Sequence, residues 1–373
     1  MKKRLLTIAA LTFVLTANAQ DNPLWMRYCA ISPDGQTIAF CYKGDIYTVP
    51  ANGGKATQLT TNAAHDTHPI WSPDSKKIAF ASNRQGSMDI YIIDKEGGTP
   101  QRLTTHSANE FPVTFKDAEH ILYLSSLMPD AADMTFPSGQ FPQVYEISTE
   151  GGRPTLFSSL PMEDISFSKD GKSLLYHDRK GYEDAWRKHH TSSITRDIWM
   201  CQLNGNEKTY RKLTSFRGED RTPIWSADGQ SFYYLSESKG SFNVFKRNLD
   251  GSNEKQLTQH TKHPVRFLSA ASNGTLCYGY DGEIYTVKEG EKPHKVEISI
   301  VADKNDKDLI RQVRTSGATE IAVSPSGKEV AFILHGDVFV TSVEYNTTKQ
   351  ITNTPEQERN LSFAPDGRSL AYS

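Results

Sequence analysis

The stretch "ISPDGQTIAF" (residues 31–40) decides the fold, because the chain repeats it along its whole length. It returns as "WSPDSKKIAF" (71–80), "FSKDGKSLLY" (167–176), "WSADGQSFYY" (225–234), "VSPSGKEVAF" (323–332) and "FAPDGRSLAY" (363–372), with weaker copies from Phe115 and Phe267. Each copy holds an aromatic or aliphatic anchor, a tight turn and a short apolar strand. Pro fixes φ at the first corner, Asp bonds back to the backbone, and Gly takes the positive-φ position. Apolar residues alternate on both sides of the turn, so each copy reads as a β-hairpin.

Two further motifs complete the unit. A second strand follows each hairpin, as in Asp45-Ile46-Tyr47, Asp89-Ile90-Tyr91, Asp197-Ile198-Trp199 and Val338-Phe339. After another turn, as at Gly53-Gly54 or Asp250-Gly251, a last short strand ends in Leu59-Thr60, Leu103-Thr104, Leu213-Thr214 or Leu257-Thr258, matched by Ile351-Thr352. Four antiparallel strands in about 40 residues are the signature of a β-propeller blade, which cannot bury both faces alone.

The predicted fold is therefore all-β. Six four-stranded blades of a β-propeller are expected over residues 22–305, anchored at Ile31, Trp71, Phe115, Phe167, Trp225 and Phe267. The charged stretch from Lys304 to Arg314 reads as a break, and residues 306–319 as a crossover. Residues 320–373 then supply the first one and a half blades of a second, incomplete propeller. Half a blade leaves an unpaired edge, so more sequence is expected after Ser373.

Residues 1–19 read as a cleavable signal peptide. Lys2, Lys3 and Arg4 precede an apolar run, Leu5–Leu15, too short to span a bilayer, and Ala17-Asn18-Ala19 fits a cleavage site. Export to a periplasm is the expected destination, with no membrane span after signal removal. Losing those three cations moves the formal net charge from −2 to −5, which argues against nucleic acid as a partner. Cys29, Cys41, Cys201 and Cys277 match no metal knuckle, and neither a metal nor a cofactor is expected. Cys29 and Cys41 flank one turn; a hairpin disulfide and a pair of buried thiols are both compatible with that spacing.

Three regions are candidate sites. The longest anchor spacing, Phe167 to Trp225, contains "WRKHH" (186–190) within an insertion over residues 178–196. His189, His190 and the nearby serines suggest chemistry, but adjacent side chains diverge, and no base, orienting acid and oxyanion hole can be assigned. Trp186, Arg187, Lys188, His189, His190 and Arg196 are therefore candidates for docking or substrate contact, with Arg suited to gripping carboxylates. The second region is the propeller axis. Five residues before each anchor lie Met26, Asp66, Glu110, Met162, Asp220 and Lys262, with His65, His68, His260 and His263 nearby. Asp66, His68, Glu110, Asp220 and Lys262 are expected to ring one mouth of the channel. A third region, the Pro-, Asp- and Phe-rich insertion Met128–Pro142, reads as a surface loop or a lid.

The tandem Ser-Pro-Asp-Gly blades resemble the propeller repeats of TolB and of tricorn-type proteases. The insertion ahead of Asp197-Ile198-Trp199 and the restart at "ATEIAVSPSGKEVAF" (318–332) make the chain similar to bacterial tricorn protease homologues. That resemblance implies two propellers ahead of a PDZ domain and a serine-peptidase core that carries the catalytic residues, so none is assigned to this chain. It implies a gating or scaffold role for the propeller, with peptides or unfolded polypeptide, the downstream PDZ and peptidase domains, and further copies of the chain as partners. Two alternatives stand beside it. One is a non-enzymatic TolB-like protein-binding propeller; the other is the propeller of a prolyl-oligopeptidase-like hydrolase.

Overall fold

The computed structural model describes residues 23–126, 141–181, 184, 186, 194–205, 207–301, 313–345 and 347–373. The chain divides into two compact units, Met1–Asp303 and Lys304–Ser373. Among the described residues there is no helix.

The first unit holds six antiparallel sheets among its described residues. In blade 1 the strands are Arg27–Ile31, Thr37–Tyr42, Asp45–Pro50 and Gly54–Gln58, each paired with the one before it. The first strands of the next five blades are Asp66–Trp71, Glu110–Phe115, Met162–Phe167, Asp220–Trp225 and Arg266–Ala270. Each first strand packs against the first strand of the next blade, and the sixth packs against the first. A ring of six innermost strands results, which is the architecture of a β-propeller.

The core is divided in the same way. Six hydrophobic clusters lie between neighbouring sheets. One joins Ile46 and Cys41 of blade 1 to Trp71 and Phe80 of blade 2, and the series continues round the ring. The last cluster joins Ile38 and Phe40 of blade 1 to Cys277 and Ile284 of blade 6. Each blade thus buries both faces, and the second and third strands read as near-continuous apolar runs, such as Ile78–Ala81.

The repeated motifs have local causes. In the first turn, Ser32 donates its hydroxyl to Asp34 (2.5 Å) and accepts the Thr37 N–H (3.0 Å), while Gly35 sits at φ 73°. Ser72 and Ser168 repeat these bonds with Asp74 and Asp170. The Leu-Thr motif ends a ladder. The Leu59 N–H bonds to the Ile46 carbonyl, and the Thr60 hydroxyl oxygen accepts the Ile46 N–H at 2.9 Å. Thr104, Thr214, Thr258 and Thr352 do the same for Ile90, Ile198, Val244 and Val338. A buried strand end therefore keeps its donor satisfied.

Two features differ from the sequence reading. The sixth blade turns at Ala271–Gly274, shown by the Gly274 N–H to Ala271 carbonyl bond (3.0 Å). Ala270, not Phe267, is thus its anchor, a small residue where the other blades are large. The ring is also closed by a strand that no motif marked. Ile298–Ile300 adds to blade 1 parallel to its outer strand, with Ile298 opposite Gly54 and Ile300 opposite Ala56.

The second unit holds one four-stranded sheet, built from Ala318–Val323, Glu329–Leu334, Asp337–Ser342 and Thr348–Gln350. A two-stranded pair, Ser362–Phe363 with Leu370–Ala371, follows it.

Candidate functional site

Five of the six innermost strands break register in the same place. The irregularities fall between Arg27 and Ala30, Thr67 and Ile70, Glu163 and Ser166, Arg221 and Ile224, and Arg266 and Ser269. At each one a non-glycine residue takes the left-handed conformation: Tyr28, His68, Asp164, Thr222 and Phe267, with φ between 50° and 57°. That conformation costs roughly 1–2 kcal/mol per residue. The strand gains a bulge that re-aims its side chains. The third blade has Pro112 at this place, which cannot take positive φ. The five strained residues all line one cavity of about 940 Å³, as do residues from every innermost strand.

An aromatic collar occupies part of that cavity. Tyr28 packs in tilted contact against His68 (3.9 Å between ring centres) and Phe267 (4.8 Å), and His68 against Phe111 (5.1 Å). Trp186, carried in by the insertion, meets Phe267 edge-on at 5.8 Å. The guanidinium groups of Arg27 and Arg266 each lie 4.9 Å from its ring centre, and Arg266 donates to the Trp186 carbonyl at 2.8 Å. Burial pushes the His68 imidazole down to about 4, so it is neutral at physiological pH.

The opposite wall is an ion-pair network. Glu163 accepts from His177 Nε2 (3.1 Å), Arg179 (3.0 Å) and Arg196 (3.4 Å). Arg196 also reaches Glu219 at 3.2 Å, and Arg221 lies 3.6 Å from the same carboxylate. Burial opposes the Glu163 charge, but the bond from His177 and the guanidinium groups of Arg196 and Arg179 hold its carboxyl down at about 2. The Thr222 N–H donates to His177 Nδ1 (3.3 Å), which leaves the proton on Nε2 facing Glu163. Both ring nitrogens are thus engaged, and His177 is not placed to take a proton from a hydroxyl. The wall supplies charge and rigidity; it does not form a nucleophile–base pair.

The sequence-derived candidates fall unevenly on this geometry. His68 lines the cavity. Asp66, Glu110 and Asp220 do not: each is buried where an innermost strand begins. Asp66 is paired with Arg84 at 2.8 Å, and burial raises Asp220 to about 6. Lys262 is exposed in the loop before the sixth blade. Val265 holds the matching position, its N–H bonded to the Phe242 carbonyl as that of Asp66 is to Gly44. The misplaced Phe267 anchor caused this error.

Trp186 is turned onto its own propeller, and Arg196 is committed to two glutamates. Arg187, Lys188, His189 and His190 lie outside the described residues, as does the second insertion up to residue 140. The sequence reading missed Tyr28, Phe111, Glu163, His177, Arg221 and Arg266. For Tyr28, Phe111, Glu163 and Arg221 the signal was their position, one residue past the start of an innermost strand. Arg266 opens its strand, and His177 stands near the end of a second strand, where no motif marked it.

Burial pushes the Glu110 carboxyl up to about 7, with the Asp89 charge adding to it. A raised folded-state value stabilises the fold below the unfolded value of about 4.5, and that contribution is lost as pH rises through about 7. Glu110→Gln is expected to remove this loss, worth on the order of 3 kcal/mol. Urea unfolding at about pH 5 and about pH 8 checks it. An unchanged pH slope in the variant would count against this assignment.

Among the described residues, no group of three or more His, Cys, Asp or Glu side chains is arranged to hold a metal, and no helix is long and apolar enough to cross a membrane.

Comparison with known proteins gives a consistent result. The family model described as "Tricorn protease N-terminal beta propeller domain" matches residues 23–293. "Tricorn protease homolog 1" of Streptomyces coelicolor is 24% identical over 282 residues, 74% of this chain and 25% of that protein. "Tricorn protease homolog" of Saccharolobus solfataricus is 24% identical over 327 residues, 84% of this chain and 28% of that protein. The solved structure described as "Crystal structure of the tricorn protease" superposes with a TM-score of 0.64 at 18% identity, covering 91% of this chain and 32% of that one. At that identity the likeness concerns the fold. The chain spans between a quarter and a third of the length of these relatives.

Proposed function

The chain belongs to the tricorn protease N-terminal β-propeller family, and from that premise we propose that it is the gating and scaffold propeller of an exported tricorn-like serine peptidase. It passes or holds peptides and unfolded polypeptide and leaves bond cleavage to other domains. The observation that carries this reading is the axial cavity. At about 940 Å³ it lies near the top of the roughly 300–1,000 Å³ range of ligand pockets. Its lining combines aromatic faces with guanidinium groups and contains Trp186. Such a surface contacts an extended polypeptide through apolar, cation–π and backbone hydrogen-bonding interactions without reading one sequence. Residues 1–19 support export, and a PDZ domain, a peptidase core and further copies of the chain are the proposed partners.

Thr114 lines the cavity and is half-buried, whereas all four cysteines are buried. Thr114→Cys therefore gives this chain one reactive thiol, which a bulky maleimide converts into a plug; in the full-length protein any cysteine outside these 373 residues is first replaced. Long unfolded peptides are expected to be cleaved about ten-fold more slowly after labelling, with a two- or three-residue chromogenic substrate unaffected. Equal rates on long peptides before and after labelling would sink the gating role.

A further inference from the structure

The ring of six blades is closed at one seam, between blade 1 and blade 6, where the two ends of the propeller meet. Main-chain bonds cross it: Met26 N–H to the Gly282 carbonyl (3.0 Å), Ser272 N–H to Pro33 (2.8 Å), and Gly54 N–H to Glu297 (2.8 Å). Cys29 and Cys277 face each other across this seam. Cys29 stands on the first strand of blade 1 and Cys277 on the second strand of blade 6. Both are buried members of the one hydrophobic cluster that joins these blades.

The hydroxyl of Ser269 fixes their backbones. It lies 3.5 Å from the Cys29 carbonyl and 3.4 Å from the Cys277 carbonyl, and it accepts the Ile31 N–H at 3.0 Å. The two carbonyl oxygens are therefore within roughly 7 Å of each other, which sets the two backbones side by side across the seam. Cys29 Sγ donates to the Phe267 carbonyl at 3.6 Å, and the neighbouring Cys277 thiol is among the groups that raise the Cys29 thiol above its ordinary value. Cys41, the sequence neighbour of Cys29 across the hairpin, belongs to the cluster on the other face of blade 1, 4.0 Å from the Thr67 hydroxyl.

We propose that Cys29 and Cys277 form a disulfide that locks the propeller ring at its seam. Each thiol gives up a proton and an electron, and the two sulfurs bond. A small-molecule disulfide of the glutathione type takes up the two electrons and two protons and leaves as two thiols, through a mixed disulfide. Burial holds the Cys29 thiol well above its ordinary value, so little thiolate exists in the closed ring. Exchange therefore occurs while the seam is still forming or transiently open. The site rests on the geometry of the seam and not on the gating reading.

The test uses the wild-type chain, reduced and denatured, then refolded in a glutathione and glutathione-disulfide buffer. Free thiols are alkylated under denaturing conditions and the protein is digested without reductant. One linked peptide pair joining Cys29 to Cys277 is expected, with Cys41 and Cys201 alkylated. Reduction is expected to lower the thermal midpoint by on the order of 10 °C, and a Cys29→Ala/Cys277→Ala variant to ignore reductant. Four alkylated cysteines, a Cys29–Cys41 link, or a formed bond whose reduction leaves the midpoint unmoved would each overturn the proposal.

Discussion

Arg196→Ala is expected to cost about 3–5 kcal/mol of folding stability, the typical penalty for breaking a buried pair by removing one partner. Its side chain is 7% exposed, and it bridges Glu219, 1% exposed, to Glu163, 16% exposed. Removing it takes away the 3.2 Å partner of Glu219, which Arg221 approaches at 3.6 Å. Arg196→Lys should recover only part of the loss, because a single ammonium cannot hold two carboxylates as a planar fork does. Glu219→Gln added to Arg196→Ala should regain part of the stability, because the buried carboxylate that lost its Arg196 partner becomes neutral, giving a non-additive cycle. A pH arm follows from Glu163. Its carboxyl is held at about 2 against an unfolded value near 4.5. The stabilisation is present above about 4.5 and is lost as pH falls towards about 2. Arg196→Ala should therefore narrow the stability difference between neutral and acid pH, read by urea unfolding. A cost below about 1 kcal/mol would mean that the network is solvated and the residue free for substrate.

The architecture was legible because its signals are local. A Ser-Pro-Asp-Gly turn contains its own hydrogen-bond partners, Ser32 with Asp34 and Gly35, within a few residues. The Leu-Thr motif carries its cause as well, since the Thr60 hydroxyl bonds only as far back as Ile46. The candidate site was less legible, because three of its determinants are not local. The bulge in five of the six innermost strands changes which side chains face the axis, so counting back from the anchors found buried carboxylates where the channel mouth was sought. The position of Trp186 depends on Arg27 and Arg266, which come from opposite ends of the first propeller's sequence. An anchor can also be small: Ala270 meets the packing of the sixth blade, and an aromatic search settles on Phe267 instead. Arg196 was expected to grip carboxylates of a substrate or a docking partner, but a guanidinium in sequence does not say whether its carboxylate partner is a ligand or the protein's own Glu163 and Glu219.

Ring closure sets the other large effect. Ile298 is 3% exposed in the cluster that joins blade 1 to blade 6, and its strand is the only parallel addition among the described strands. Ile298→Asp places a charge in that cluster and removes the side chain that fixes the strand's register. A cost of more than about 4 kcal/mol is expected, since an unpaired carboxylate there must protonate or drag the strand out into water. Ser299→Asp, one residue on and half-buried, should cost far less. The loss should be confined to the seam first, because the other five inter-blade clusters do not contain Ile298. Hydrogen exchange should then show the outer strand of blade 1, Gly54–Gln58, exposed before the third blade. With Cys29 joined to Cys277, the two blades remain tethered when the strand lets go, so the Ile298→Asp penalty should be smaller in oxidised than in reduced protein. Equal penalties in both states would mean that strand and thiols do not share one opening event. A uniform loss of protection across all six blades would mean that the ring unfolds as a single cooperative unit, with no separable seam.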